Sequence, residues 1–590
     1  MARLDPLILE ESAQLFWLQG FDGVNLHDDR RAIGDEECAW LENFAPLGAS
    51  NARAMYDAAP TLYTTSGTIV YEFPFNIGST FYHALFFADG SAVAVAAATG
   101  AVTTIAAAGT FAVTPTLPAC AQWGASGIVI VASANYYAWD GILCSSGGAA
   151  PAWLSGLAAP LTFTGNTHTN TTLDTLVPNT TGVVIGMMVT GTDIQAGTFV
   201  SGFAATSITL SLAATGTHAG NFTVQWAMPT GIKGTAVEVF QERVWVLNGA
   251  QFSTSAPGNG ADFSTADGGV TTKSSDGFLK ATFVNVKQSN GFLYFFGDAS
   301  INVVSNVLTS GSPSSTTFNN QNVDPQTGLG WRDALVPFGR ALCFANPHGV
   351  YALFGGAAEK ISDKIDFLFE KANFTTVAPT MFVVSIFGVR CLGIILNTLD
   401  PTTGAFPGTQ RTIMALWNGA KWFIASQSKT SIFAVTMEIN ASLQGWANDG
   451  KNLYRLFQTP SSTLSKKVRS KLWPGRSQLI EKISKDVFVE SADLGGTGVV
   501  LTGTIDSDTN ASVAFSVTAK LFWINSSGGM ITFVNSSGLV IQFLSSPGGI
   551  QGAAANQAGA RLGLTLTSTS PDFELIGMGE TYHENAILGR

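Results

Sequence analysis

The sequence is poor in charge. Asp, Glu, Lys and Arg make up 12% of its 590 residues, about half of the roughly 25% usual in soluble domains, so solubility must come from Ser, Thr, Asn and Gly. The charge present is also one-sided. Lys and Arg number 30 against 41 Asp and Glu, a formal net charge of −11, which lacks the basic footprint of a protein that grips nucleic acid by counterion release. DNA that meets such a chain is expected to pass it rather than to be held.

Cysteine is scarce too. Cys38, Cys120, Cys144, Cys343 and Cys391 are odd in number, widely spaced and never form a CxxC pair, which excludes a disulfide framework and a local zinc site. Reduced, buried thiols are expected. The six histidines (27, 83, 168, 218, 348 and 583) never fall within a helical turn of one another, so no local metal pair exists. His83, in an aromatic strand, and His348, after Pro347 at a turn, are expected to be hydrogen-bonded structural residues.

A P-loop, a GxSxG elbow, an HExxH helix and a carboxylate-rich calcium loop are all missing. A glycosidase needs two carboxylates flanking the scissile bond. The acids here are thinly spread, with dense groups only at His27-Asp28-Asp29 and Asp35-Glu36-Glu37, where surface solvation is the simpler role. The expectation is a protein that is not an enzyme and carries no cofactor and no metal.

Targeting signals are lacking as well. Met-Ala-Arg-Leu-Asp-Pro followed by Glu10 and Glu11 puts acids where a signal peptide needs an apolar run, so export is not expected. No charge occurs between Asp89 and Asp140, and Ala92 to Val113 is long enough to span a bilayer. That stretch nevertheless alternates as Ala-Val-Ala-Val, breaks at Thr99-Gly100 and resumes with Val102-Thr-Thr-Ile105. This is the pattern of a hairpin, and buried strands rather than a membrane anchor are predicted.

What the sequence has in abundance is turn punctuation. Its 63 glycines separate short Val, Ile and Phe runs, as in Thr68–Phe75 with Phe81–Phe87, Ala236–Leu247, Gly291–Gly297 with Ser300–Val304, Ala341–Phe354, Thr412–Ile424 and Asp449–Phe457. Degenerate strand-turn-strand repetition at roughly 40–50 residues is what a β-propeller produces, and about six to eight blades are predicted. Residues 160–228 break the pattern. They are Thr/Asn/Gly-rich, and three closely spaced strands at 182–191, 197–201 and 207–211 suggest a small Ig-like sandwich. After about 463 the chain changes again around Trp473-Pro474-Gly475, and two echoing segments, Leu521–Gly528 and Ile531–Gly538, each end in Asn-Ser-Ser-Gly.

The predicted fold is therefore mainly β: a β-propeller core with an inserted small β-sandwich (Ig-like) domain and a C-terminal antiparallel β domain. Its parts are an N-terminal arm (1–55), propeller blades (56–159), the insert (160–228), further blades (229–462) and a C-terminal β region packing on or closing the propeller (463–590). At that last junction Lys466, Lys467, Arg469, Lys471 and Arg476 place five cations in eleven residues. They are candidates for contact with phosphate or a partner, set against the plainer reading of a solvated face.

A string of motifs from Gly234 to Phe369 resembles the tail nozzle proteins of short-tailed, P22-type phages, also called tail-hub or packaged-DNA stabilisation proteins. The motifs are Phe283-Val-Asn-Val-Lys287, Gly291-Phe-Leu-Tyr-Phe-Phe-Gly297, Ser300-Ile-Asn-Val-Val304, Gly328-Leu-Gly-Trp-Arg-Asp-Ala334, Ala341-Leu-Cys-Phe344, Gly349-Val-Tyr-Ala-Leu353 and Glu359-Lys-Ile-Ser-Asp-Lys-Ile-Asp366. Phe21-Asp-Gly-Val-Asn25, Leu41-Glu-Asn-Phe-Ala-Pro46 and Gly559–Ser570 are similar to that family's ends. The resemblance implies a virion protein of the phage tail, a homohexamer below the portal and adaptor rings. It would contact tail fibres or a needle and retain packaged double-stranded DNA before its ejection through the lumen. No catalytic residue comes with the resemblance. An acidic balance agrees with a lumen that repels a sliding phosphate backbone. The alternative is a fibre or receptor-binding propeller that recognises or cleaves host-surface carbohydrate, which would show clustered carboxylates or Trp on one propeller face.

Overall fold

The short β-branched and aromatic runs pair as antiparallel four-stranded sheets joined by tight turns. The computed structural model describes residues 14–48, 51–157, 159–273, 282–401, 409–495, 498–518 and 549–587, with four two-residue strands between 523 and 541. Seven four-stranded units follow one another along these residues. Blade 1 runs from Ile69–Ile77 to Val102–Ala106, blade 2 from Ala119–Trp123 to Leu143–Ser145 and blade 3 from Ala236–Phe240 to Val270–Lys273. Blade 4 runs from Phe283–Ser289 to Ser315–Asp324, blade 5 from Leu335–Phe338 to Ala358–Lys360 and blade 6 from Met381–Ile386 to Trp422–Ala425.

Blade 7 has three strands between Phe433 and Arg455 and takes its fourth from far up the chain, where Tyr63–Thr64 pairs with Asn452–Arg455. The ring closes when blade 7 packs on blade 1: Phe433 stands edge-on to Tyr71 at 5.9 Å, and Met437 and Trp446 share a core with Leu85 and Val95. The fold is a seven-bladed β-propeller, inside the range set by the repeat length. The uncharged stretch from Ala92 is half of blade 1, with Ala92–Ala96 laddered to Val102–Ala106. No helix among the described residues is long and apolar enough to cross a membrane.

Between blades 2 and 3, residues 161–225 form one six-stranded sheet rather than the two facing sheets of an Ig-like sandwich. Its edge strands, Met188–Gly191 and Val200–Ala204, meet through a bridge between Met188 and Phe199 and through Val200 N donating to Met187 O at 2.8 Å. The sheet thus curls shut into a small barrel. Register shifts between Thr164 and Asn166 and between Val200 and Gly202 supply the local bending that closure requires. Phe163, Leu173, Ile208, Phe222 and Val224 fill the interior. That core is continuous with Val129 and Tyr136 of blade 2 and Val244 of blade 3, so the barrel is seated on the propeller.

Strands from both ends of the chain build a second β domain. In one sheet Phe44–Pro46, Ala52–Ala54, Phe573–Ile587, Ile480–Asp493 and Gly549–Gly559 lie side by side, with Gln14–Gln19 added along Phe573–Ile587. The other sheet extends blade 6: its outer strand Trp422–Ala425 pairs in parallel with Cys38–Glu42, which leads on through Lys466–Ser470, Leu562–Ser568 and Val500–Ser507 to Val513–Thr518. An edge that would otherwise be an open template is thereby covered. The first 55 residues thus supply strands rather than a separate arm, with residues 1–13 outside the described part, and the strand that closes the propeller is N-terminal. Of the echoing segments near 521–538, Trp523–Ile524 pairs with Met530–Ile531 and Phe533–Val534 with Val540–Ile541. Their Asn-Ser-Ser-Gly turns lie outside the described residues.

Candidate functional site

The inner strands of all seven blades surround a cavity of about 570 Å³ on the propeller axis, lined among others by Tyr71, Gln122, Glu238, Lys287, Arg332 and Met381. That volume falls in the range of roughly 300–1,000 Å³ typical of small-molecule sites. It leaves no passage for a DNA duplex, whose major groove alone is about 12 Å wide.

Arg332 spans this channel. It belongs to the Gly328–Ala334 motif on the connection between blades 4 and 5, and the glycine at 328 is required because a Cβ there would stand 2.2 Å from the Asp298 carbonyl carbon. From that seat the guanidinium Nη1 reaches the far side of the ring. It donates to Leu117 O at 3.0 Å and Pro118 O at 2.9 Å, both at the start of blade 2. Its carbon lies 4.5 Å from the Tyr71 ring centre in blade 1, and Nε sits 3.3 Å from Asp333. Burial works against the charge, but Asp333 outweighs it and holds the guanidinium above its usual pKa. One side chain therefore ties blade 5 to blades 1 and 2 across the axis.

The remaining acids of the lining are mostly engaged. Glu238 is paired with Lys287 at 2.7 Å. Glu72 is sealed between blades 1 and 7, where His83 Nδ1 lies 2.8 Å from one oxygen and the Asn448 amide donates to the other at 2.8 Å. His83 is fully buried, with its ring 4.6 Å from that of Trp446. Glu438 is exposed near the hairpin end of the channel. Among the described residues no group of three or more His, Cys, Asp or Glu is placed to hold a metal. Cys38, Cys120, Cys343 and Cys391 are buried and unpaired, and burial pushes each thiol well above its usual pKa.

The basic run at 466–476 is divided by strand alternation. Lys466 points inward and is fully buried, donating to Ser461 O at 2.9 Å and Leu464 O at 3.2 Å, and burial lowers its pKa to about 8. Lys467 and Arg469 point outward, Arg469 lying 3.7 Å from Asp506. Lys471 pairs with Asp35 at 2.9 Å, and Arg476 donates to the Gln14 side-chain carbonyl at 3.0 Å. The structure does not gather the five into one patch, and Lys466 is closed to any phosphate. Of the acids expected to be solvated at the surface, Asp28, Asp29, Asp35 and Glu36 are exposed, Asp29 being pulled to a pKa of about 2 by its hydrogen bonds from Arg31, while the partly buried Glu37 pairs with Lys364 at 2.7 Å. Arg332 and Glu42 fall inside motifs of the resemblance, but nothing local in the sequence marks their partners, and Arg411 lies in none of those motifs.

No protein-family model matches the chain, and no curated protein sequence matches it. Among solved structures it is similar to YCF48 bound to D1 peptide, at 10% identity over 68% of this chain and 94% of that one, with a TM-score of 0.24. It is also similar to the WD40 domain of SCAP from fission yeast, at 9% identity over 91% and 96% with a TM-score of 0.22. A third is an exo-beta-1,3-galactanase from Phanerochaete chrysosporium with galactose, at 10% identity over 89% and 99% and the same score of 0.22. At these scores the likeness carries no argument about activity, and the propeller assignment rests on the chain's own strand order.

Proposed function

We propose that this chain is a structural subunit of a tailed-phage particle, a tail nozzle or hub protein that retains packaged DNA and frames the path of its ejection. The observation that supports this best is the way the molecule is braced. Its propeller axis is crossed by Arg332 and its lining carboxylates Glu72, Glu238 and Asp333 are held by partners within 3.3 Å. Both ends of the chain are woven into a second domain fused to blade 6. Such a body suits bearing load in a ring better than admitting and turning over a substrate.

In this reading DNA runs along the symmetry axis between copies, since the channel inside each propeller is too small. The ring, a hexamer formed through heterologous contacts that close, would sit between the portal-adaptor ring and the fibres or needle, and the acidic net charge would keep the lumen slippery to phosphate. The test is to assemble particles lacking this chain. Heads that fill and then lose their DNA are the expected result. Particles that keep a full genome and fail only at adsorption would contradict the reading and favour a receptor-binding role.

A further inference from the structure

The second β domain encloses a carboxyl group that no ion pair holds among the described residues. Glu580 lies on Phe573–Ile587, flanked by Phe16 of Gln14–Gln19 on one side and Val487 of Ile480–Asp493 on the other. It is fully buried. The Ser484 hydroxyl lies beside it and favours the charged form, but neither carboxyl oxygen makes a hydrogen bond of good geometry among the described residues. Met578 and Tyr582, two residues away along the strand and so on the same face, belong to the main core, which places the Glu580 side chain in that core as well.

Among the described residues no cation is paired with it. Asp506, on the face of Val500–Ser507 opposite the core residues Leu501 and Ile505, adds a like charge from a distance and is itself held by Arg30 at 2.8 Å and Arg469 at 3.7 Å. On Ile480–Asp493 the Lys482 ammonium is tied to the carbonyls of Ser477, Ile480 and Ala560 at 2.7–2.8 Å. Lys485 and Asp486 on that strand are exposed, and Glu481, Glu490 and Asp493 are partly exposed. Glu584, farther along its own strand, and Arg476, in the connection before Ile480–Asp493, are charges that bear on Tyr582. Gln14–Gln19 and Leu562–Ser568 bring no ionisable side chain. A carboxylate in such a place is expensive, whereas the neutral acid is tolerated. Burial accordingly raises the pKa to about 7, with the Ser484 hydroxyl opposing and Asp506 adding.

The element positioned to respond is Gln14–Gln19, which among the described residues is an edge strand laddered to Phe573–Ile587 alone. It docks closely. Phe16 stacks on Tyr582 at 4.3 Å and on Trp473 at 5.0 Å, and Trp17 fills the space over Gly577, where a Cβ would stand 2.4 Å from its ring.

We propose that Glu580 is a proton-operated lock on this N-terminal strand. Neutral, it lets Gln14–Gln19 stay zipped to Phe573–Ile587; ionised, it drives the strand off so that water can reach the carboxylate. The sign follows from the direction of the shift. A carboxyl whose pKa is higher when docked than when free favours docking most in acid, and docking weakens as the pH rises from the free value through the docked one. The inference does not rest on the phage reading.

The test is hydrogen exchange of the full chain at about pH 5.5 and about pH 8.5, expressed as protection factors so that the intrinsic rate cancels. Protection of residues 14–19 is expected to fall by about tenfold or more across that interval in the wild type and to stay level in Glu580→Gln. Gly127–Val131 of blade 2 serves as the internal reference. Equal protection at both pH values in the wild type would overturn the proposal without any variant, and so would an undiminished fall in a folded Glu580→Gln protein.

Discussion

Arg411 of blade 6 and Glu42, 369 residues earlier in the chain, are joined by two parallel hydrogen bonds, Nη1 to Oε1 at 2.8 Å and Nη2 to Oε2 at 2.7 Å. The same guanidinium binds Asp400 through Nε at 2.9 Å. Trp40 Nε1 and the Ser426 hydroxyl donate to the Glu42 oxygens at 2.8 Å each. This knot sits where Cys38–Glu42 joins the outer strand of blade 6, and it fixes the angle between propeller and second domain. Breaking a mostly buried pair from one side strands the other charge.

Arg411→Leu is therefore expected to cost about 3 kcal/mol or more, because it abandons Asp400 as well as Glu42, and Glu42→Gln is expected to cost less. Denaturant titration of the two variants checks the order. Equal and small losses would mean that the joint is held by strand pairing alone.

Among the main-chain bonds that close the ring are Leu62 N to Leu453 O at 2.8 Å and Thr65 N to Lys451 O at 3.0 Å. Proline at either position removes a ladder bond, and the pair of substitutions should destabilise the protein by about 3 kcal/mol or more. The expected signature is faster hydrogen exchange in Asn452–Arg455 with Gly127–Val131 unchanged. Uniform acceleration would point to global unfolding instead of an opened blade 7.

Between blades 1 and 7, Glu72 satisfies both His83 and Asn448. Glu72→Ala leaves both stranded in the interior and is expected to cost about 2–3 kcal/mol, with Glu72→Gln recovering part of it. Urea midpoints of the two variants measure this.

Lys466 gives a pH dependence of opposite sense to that of Glu580. Its pKa is lowered by burial to about 8 from 10.5, so above the folded value the unfolded chain binds more protons than the native one. Stability should rise by up to about 3 kcal/mol between those two pKa values. Other groups titrate in the same range, so the measurement is the difference between wild type and Lys466→Met, which should shrink as the pH rises. A constant difference would show that the ammonium is well accommodated by Ser461 O and Leu464 O.

Much of the architecture was legible because the period-two alternation and glycine punctuation of strands such as Ala92–Ala96 and Val102–Ala106 are local. The propeller and the range of its blade number came from those signals. The partnership of Tyr63–Thr64 with blade 7, of Cys38–Glu42 with blade 6 and of Gln14–Gln19 with Phe573–Ile587 was not legible, since pairing between distant segments leaves no periodic trace. Residues 160–228 read as a sandwich because strand spacing alone does not say whether a sheet curls shut. For the basic run, alternation in Lys466–Ser470 was already visible and assigns Lys466 and Val468 to one face. A count of charges without the strand period runs the two faces together. Arg332 was quoted within a motif, but its reach across the ring to Leu117 and Pro118 depends on the closure of all seven blades.

The central proposal is a place in a particle, and cryo-electron microscopy of intact virions tests it most directly. Six copies in a ring on the tail axis below the portal, with an acidic or neutral lumen between copies and the propeller channels closed by Arg332, is the expected result. Peripheral copies, trimers, or a lumen lined with Lys and Arg would contradict it.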